Sequence, residues 1–124
     1  MGIIGAGGMG RGHMKRFQAQ GVEWAAVCEV YEPHLQQGLQ IAGPQARGCR
    51  DYRELPDRKE IDAVLIATPE HWHHDMLIDA LRAGNDAYCE KPMSWSIKQG
   101  ANMVRKARKT DQWRWATRRS VRCT

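Results

Sequence analysis

A short apolar run, Gly2-Ile3-Ile4, leads directly into Gly5-Ala6-Gly7-Gly8-Met9-Gly10. The glycines fall in the pattern G-x-G-x-x-G, with Gly5, Gly7 and Gly10 in its three fixed places. The first permits a tight turn out of a strand. The second lets backbone amides approach a pyrophosphate, and the third lets a helix pack closely on the sheet it has just left. The pattern therefore needs a strand before it and a helix after it. Residues 8–20 read as that helix, closed by Gly21 as its C-terminal cap. Amides at the helix start, at Gly8, Met9 and Gly10, then face an anion.

Strand and helix alternate along the rest of the chain. Residues 22–30 (VEWAAVCEV) are β-rich and mostly apolar, a second strand. Pro33 opens a helix through about residue 42, and Gly43-Pro44 stops it. Residues 47–52 hold a short edge strand, and Leu55-Pro56-Asp57 is turn chemistry. Residues 61–67 (IDAVLIA) are the clearest strand, a continuous apolar run suited to a sheet covered by helices on both faces. Thr68-Pro69 starts a helix with Met76, Leu77, Ala80 and Leu81 as its buried stripe, and Gly84 ends it. Residues 86–89 form the next strand. Ser96-Ile97-Lys98-Gln99 is a capping box for a last helix through about residue 109. The alternation predicts an α/β fold with a doubly wound parallel sheet.

Charge is divided unevenly. The net charge is +5, yet from Arg105 onward there are eight basic residues and one acid, Asp111. The body before Arg105 has 11 basic and 13 acidic residues and is slightly acidic. The basic tail lacks the regular aromatic interleaving or fold signature of a nucleic-acid contact, so no nucleic-acid partner is expected. No apolar run approaches a membrane span, and no membrane partner is expected. No signal peptide is expected before the motif that begins at Gly2. The four cysteines, Cys28, Cys49, Cys89 and Cys123, form no CxxC pair. Cys28 and Cys89 sit in strand-like runs and read as buried reduced thiols, in keeping with a cytoplasmic location.

Three groups carry chemistry. Glu29 ends the second strand about twenty residues past Gly10, where a carboxylate can accept hydrogen bonds from an adenosine ribose. Val30, Tyr31 and Glu32 follow it with no arginine or lysine, so repulsion of a 2′-phosphate favours NAD over NADP. Thr68-Pro69-Glu70-His71-Trp72-His73-His74 follows the apolar strand. Its histidines lack the i, i+4 pairing of helical zinc ligands, so no metal site is expected. His71 and His73 are expected to border the crevice, and His74 to be merely solvated. Glu90-Lys91-Pro92 ends the strand at residues 86–89. A lysine at the carboxyl end of such a strand points into the ligand crevice of an open α/β sheet. There it can hold or polarise a hydroxyl or carbonyl.

Taken together, GIIGAGGMGRGHM, AVCEVYEP and AVLIATPEHWHHDMLIDALRAGNDAYCEKP resemble the glucose–fructose oxidoreductase / inositol dehydrogenase (Gfo/Idh/MocA) family. The resemblance covers residues 2–111. It implies a Rossmann-type NAD-binding domain, here 1–111, of an enzyme that moves a hydride between nicotinamide and a secondary alcohol of a sugar or cyclitol. It implies pyrophosphate on Gly5, Gly7 and Gly10 and ribose on Glu29. Thr68, Pro69 and His73 would line the nicotinamide side. Glu90, Lys91 and Pro92 would form the EKP element, with Lys91 touching a polyol or sugar substrate. Full-length relatives are expected to be homo-oligomers with a second, substrate-binding domain that this chain stops short of. Residues 112–124 are an atypical basic tail in place of the family's apolar strand, which suggests truncation or a shifted reading frame. Such a sequence cannot supply a central strand apolar on both faces, so no integrated sheet strand is expected after Asp111. Two alternatives remain: an NAD-binding fragment without catalysis, and a relative that uses NAD in glycoside cleavage. Lys91 argues against the second, because such relatives tend to lose the EKP lysine.

Overall fold

The computed structural model describes residues 1–55, 58–110 and the backbone of 114–116. Six strands form one parallel sheet: β1 (Gly2–Ile4), β2 (Ala26–Cys28), β3 (Arg47–Cys49), β4 (Ala63–Ile66), β5 (Asp86–Cys89) and β6 (Arg114–Ala116). Their order is β3-β2-β1-β4-β5-β6, so the chain winds outward in both directions from β1. Four helices make the crossovers: α1 (Gly8–Gln18), α2 (Glu32–Ala42), α3 (His73–Arg82) and α4 (Ile97–Lys109).

The two-residue period of a strand sorts the apolar residues into two cores. Ile4, Cys28, Val64, Ile66 and Cys89 face one layer, with Met76, Leu77, Leu81 and Met103 of α3 and α4. Ile3, Val27 and Leu65 face the other, with Met14 of α1 and Leu35 of α2. A strand buried on both faces has no polar side, which is why β4 reads as an unbroken apolar run. Leu65 has no exposure at all, and burial of one such side chain contributes about 1.5–3 kcal/mol.

Several elements differ from the sequence reading. The second strand is only three residues long. Its predicted start turns inward instead, as Trp24 buries its ring and its indole N–H donates to the Met14 carbonyl at 3.2 Å. Thr68 does not cap a helix. Its hydroxyl donates to the Met76 sulfur at 3.4 Å, Pro69 precedes a single 3₁₀ turn (Glu70–Trp72), and α3 begins at His73. The capping box forms by half: Ser96 accepts from the Gln99 amide at 3.2 Å, while the Gln99 side-chain oxygen is buried without a partner.

The expectation that no sheet strand follows Asp111 is corrected. Arg114–Ala116 pairs in parallel with Ala87–Cys89. That expectation assumed a central position, where both faces must be apolar. Among the described strands β6 lies at the edge, where pairing along one side suffices. The rest of the predicted tail, 112–113 and 117–124, lies outside the described residues, as do Asp111 before it and Pro56 and Asp57 of the predicted turn.

Candidate functional site: a crevice at the strand-order switch

The order of strands reverses at β1, between β2 and β4. Loops leaving the carboxyl ends of β1 and β4 run to opposite sides of the sheet and leave a crevice there. It has a volume of about 770 Å³, within the range of ligand sites. Gly5, Gly7, Glu29, Thr68 and Pro69 line it, as expected from sequence.

The three glycines differ in what they need. Gly5 has φ +91°, and a Cβ there would stand 2.7 Å from the Ala67 carbonyl oxygen. Only glycine adopts that conformation freely. A Cβ on Gly10 would stand 2.1 Å from the Gly5 carbonyl oxygen, so the helix can approach the turn only without one. At Gly7 nothing lies within 4 Å of an added Cβ. The loop there faces space that the fold does not fill. Gly7 is also the N-cap of α1, and no side chain or acidic first-turn residue caps that end. Uncapped amides beside open space suit a pyrophosphate, so these residues fit a dinucleotide. Arg11 reaches back from α1 to hold the Ala6 carbonyl.

Glu29 is tied to this loop. One carboxylate oxygen accepts from the Ala6 amide at 2.9 Å and the other from the Tyr31 amide at 3.0 Å. The acid is thus fixed beside the glycine turn, with lone pairs left for a ribose.

A further part of the lining was not read from sequence. His34, Arg50, Asp51, Tyr52 and Arg53 line it, and all but His34 follow β3. Arg50 and Arg53 therefore share the crevice with Glu29, although no cation follows Glu29 in the chain. The Arg50 guanidinium pairs with Glu32. Hydrogen bonds from Gln36 and Arg50 hold the Glu32 carboxyl below the usual carboxylate range. Sequence signalled these cations only as a basic cluster after a weak edge strand.

The three histidines go different ways. His73 is 1% exposed and does not line the crevice. Its Nδ1 lies 2.7 Å from the Pro92 carbonyl and its Nε2 2.8 Å from the Thr68 carbonyl. It thereby ties the end of β4 to the turn after β5. His71 is exposed and tilts against Trp72, and Trp72 rather than His71 lines the crevice. His74, expected to be solvated, is half-buried between Asp75 and Asn102 of α4. Among the described residues no cluster suits a metal ion.

Glu90, Lys91 and Pro92 sit at the carboxyl end of β5, on the same sheet edge but outside the crevice lining. Lys91 is exposed. Glu90 is 6% exposed and pairs with His13 of α1, 77 residues away in sequence. Its other oxygen accepts from the Lys91 amide at 3.0 Å. His13 gave no signal beyond lying one turn after Gly10 on the inner face of α1. Through it, the helix that opens at the glycine loop also fixes the backbone of Lys91.

No described helix is long and apolar enough to cross a membrane. Among curated proteins, a glycosyl hydrolase family 109 protein of Shewanella sp. strain ANA-3 is 31% identical over 121 residues, spanning 90% of this chain and 26% of that protein. The alpha-N-acetylgalactosaminidase of Shewanella oneidensis is 30% identical over the same length. Among solved structures, the myo-inositol 2-dehydrogenase of Lactobacillus plantarum is 27% identical with a TM-score of 0.85, over 93% of this chain and 34% of that one. The WlbA dehydrogenase of Chromobacterium violaceum, in complex with NADH and UDP-GlcNAcA, is 25% identical with a TM-score of 0.83, over 93% and 33%. The chain spans about a quarter of the length of these curated relatives and about a third of these solved chains. The family model of the Gfo/Idh/MocA oxidoreductases, NAD-binding Rossmann fold, matches residues 1–116. With the glycine cradle, the anchored Glu29 and the strand order that it requires, this chain belongs to that family and forms its NAD-binding domain.

Proposed function

We propose that this domain binds NAD in preference to NADP and serves hydride exchange with a secondary alcohol of a cyclitol or sugar. The observation that carries the reading is Glu29, held at 2.9 Å from the Ala6 amide on the wall of the crevice. A carboxylate fixed there accepts ribose hydroxyls and repels a 2′-phosphate. Arg50 and Arg53 do not offset it, because Glu32 engages the first guanidinium and Asp51 the second. The amides of Gly8, Met9 and Gly10 would receive the pyrophosphate. Thr68 and Pro69 would border the nicotinamide side, with His71 beside them and His73 holding that wall to Pro92. NAD, when bound, accepts the hydride of the carbinol carbon.

Lys91 is the residue we assign to substrate. Its ammonium orients the hydroxyl and stabilises charge growing on that oxygen. The hydroxyl proton passes to a base that we place in the part of the relatives this chain does not span. The relative named as a myo-inositol 2-dehydrogenase, and the WlbA dehydrogenase in complex with NADH and UDP-GlcNAcA, support the substrate class.

A second reading has its own support. The curated relatives named as glycosidases are 30–31% identical, above the 25–27% of the two dehydrogenases. Oxidation by NAD can open a glycoside cleavage as well as complete a dehydrogenation, so the same crevice serves both. One experiment separates them. Residues 1–116 are joined to the remaining length of a dehydrogenase relative, then assayed for NADH formation with polyols and for release of an aryl leaving group from glycosides. The first reading predicts NADH without aryl release. It also predicts that Lys91→Ala lowers turnover by about a hundredfold while NAD affinity holds. Wild-type turnover in that variant, or aryl release without net NADH, would overturn it.

A further inference from the structure

Cys28 and Cys49 stand side by side at the carboxyl ends of β2 and β3, as register partners in a parallel pair. Register partners in parallel strands project to the same face, and both side chains pack in the same core layer. Each thiol is the largest influence on the acidity of the other. Neighbouring strands lie about 4.8 Å apart, inside the range of Cα separations that a disulfide spans. Each cysteine also immediately precedes a residue of the crevice wall, Glu29 in one strand and Arg50 in the other. Cys28 itself lines the crevice. Cys89, also buried, lies on β5 beyond two intervening strands.

We propose that Cys28 and Cys49 form a modification site: an oxidisable dithiol that closes to a disulfide when the crevice is open and is shielded when a dinucleotide occupies it.

The chemistry balances with a peroxide as oxidant. One thiolate attacks the O–O bond of hydrogen peroxide, giving a sulfenic acid and releasing hydroxide, which leaves as water. The partner thiol then attacks that sulfur. The S–S bond forms, the S–O bond breaks and a second water leaves, so both thiol protons end in water. The two thiols differ in acidity. The Cys28 thiol beside it draws the Cys49 thiol below its ordinary range, with burial opposing and the Arg58 cation helping. The Cys49 thiol and burial push the Cys28 thiol up. Only the thiolate is nucleophilic, so a lowered thiol beside a raised one favours one sulfur for the first step and leaves the other for the second. Closing the bond draws the two Cβ atoms toward about 3.8 Å. That movement is passed to Glu29 and Arg50 one residue on. By linkage, whatever factor the disulfide costs in dinucleotide affinity is the factor by which dinucleotide opposes the disulfide.

The test treats the purified chain with hydrogen peroxide, alkylates remaining thiols in denaturant, and maps the peptides. Trypsin cuts after Arg47 and Arg50, so the two cysteines fall on different peptides. We expect the Cys28–Cys49 bridge as the first oxidation product. Saturating NAD should slow it at least about tenfold, since only the free form reacts. The oxidised chain should bind NAD at least about tenfold more weakly, and the loss should be absent in Cys49→Ser. That last arm separates the bridge from oxidation of Met76, which lines the same crevice. Protection by NAD rests on the function proposed above, whereas bridge formation is read without any ligand. Failure of NAD to bind would therefore refute that function and leave the bridge to be judged alone. Retained thiols, singly oxidised cysteines, or equal bridging rates with and without calorimetrically bound NAD would overturn the inference.

Discussion

Two glycine substitutions in the same loop should fail in opposite ways. A Cβ on Gly10 would stand 2.1 Å from the Gly5 carbonyl oxygen, against backbone rather than a flexible side chain. An ordinary contact between these atoms is more than an ångström longer, so α1 must shift away from the turn. Overpacking of that kind costs about 1–3 kcal/mol, and a clash this short with backbone belongs at the upper end. Gly10→Ala should therefore lose about 3 kcal/mol of stability by urea denaturation. At Gly7 an added side chain meets nothing within 4 Å, and the backbone there is extended. Gly7→Val should keep the fold within about 0.5 kcal/mol. It should lose NAD affinity by a hundredfold or more, about 2.7 kcal/mol, because the branched side chain fills the space left for pyrophosphate. Circular dichroism and calorimetry on the two variants decide the matter. A folded Gly7→Val that binds NAD normally, or a Gly10→Ala as stable as wild type, would refute the division of roles.

His13→Ala removes the buried partner of the Glu90 carboxylate and should cost about 3 kcal/mol in urea denaturation. His13→Gln, which keeps a donor, should recover part of the loss. Tyr52 donates to Asp79 at 3.0 Å, and burial followed by that bond raises its hydroxyl from 10.0 to about 12. The folded state thus holds the proton more tightly than the unfolded one. This contribution to stability is complete below pH 10 and disappears as pH rises toward about 12. Ultraviolet titration should place one tyrosine near 12, and Tyr52→Phe should remove it.

The parts of the molecule legible in sequence are those governed by local rules. The glycine loop, the unbroken apolar run of β4 and the acid ending β2 each state their own requirement, and they appear where expected. The parts that were missed depend on residues far apart in the chain. His13 and Glu90 meet only because α1 crosses back over β5. Arg50 joins Glu29 only because β3 lies beside β2, so a search of the residues after Glu29 could not find it. Thr68 had the composition of a cap, but the hydroxyl was drawn to Met76 two turns later. The histidine cluster misled for a similar reason. Adjacent residues at a helix start point apart, so closeness in sequence placed the three rings in three environments.

The central claim is that the crevice beside Glu29 holds NAD, and it is tested most directly by titrating the chain with NAD and NADP in parallel by calorimetry. We predict saturable one-to-one binding of NAD, NADP at least about tenfold weaker, about 1.4 kcal/mol, and a narrowed gap in Glu29→Ala. NADP binding equal to or tighter than NAD, or no heat of binding with either dinucleotide, would contradict the account.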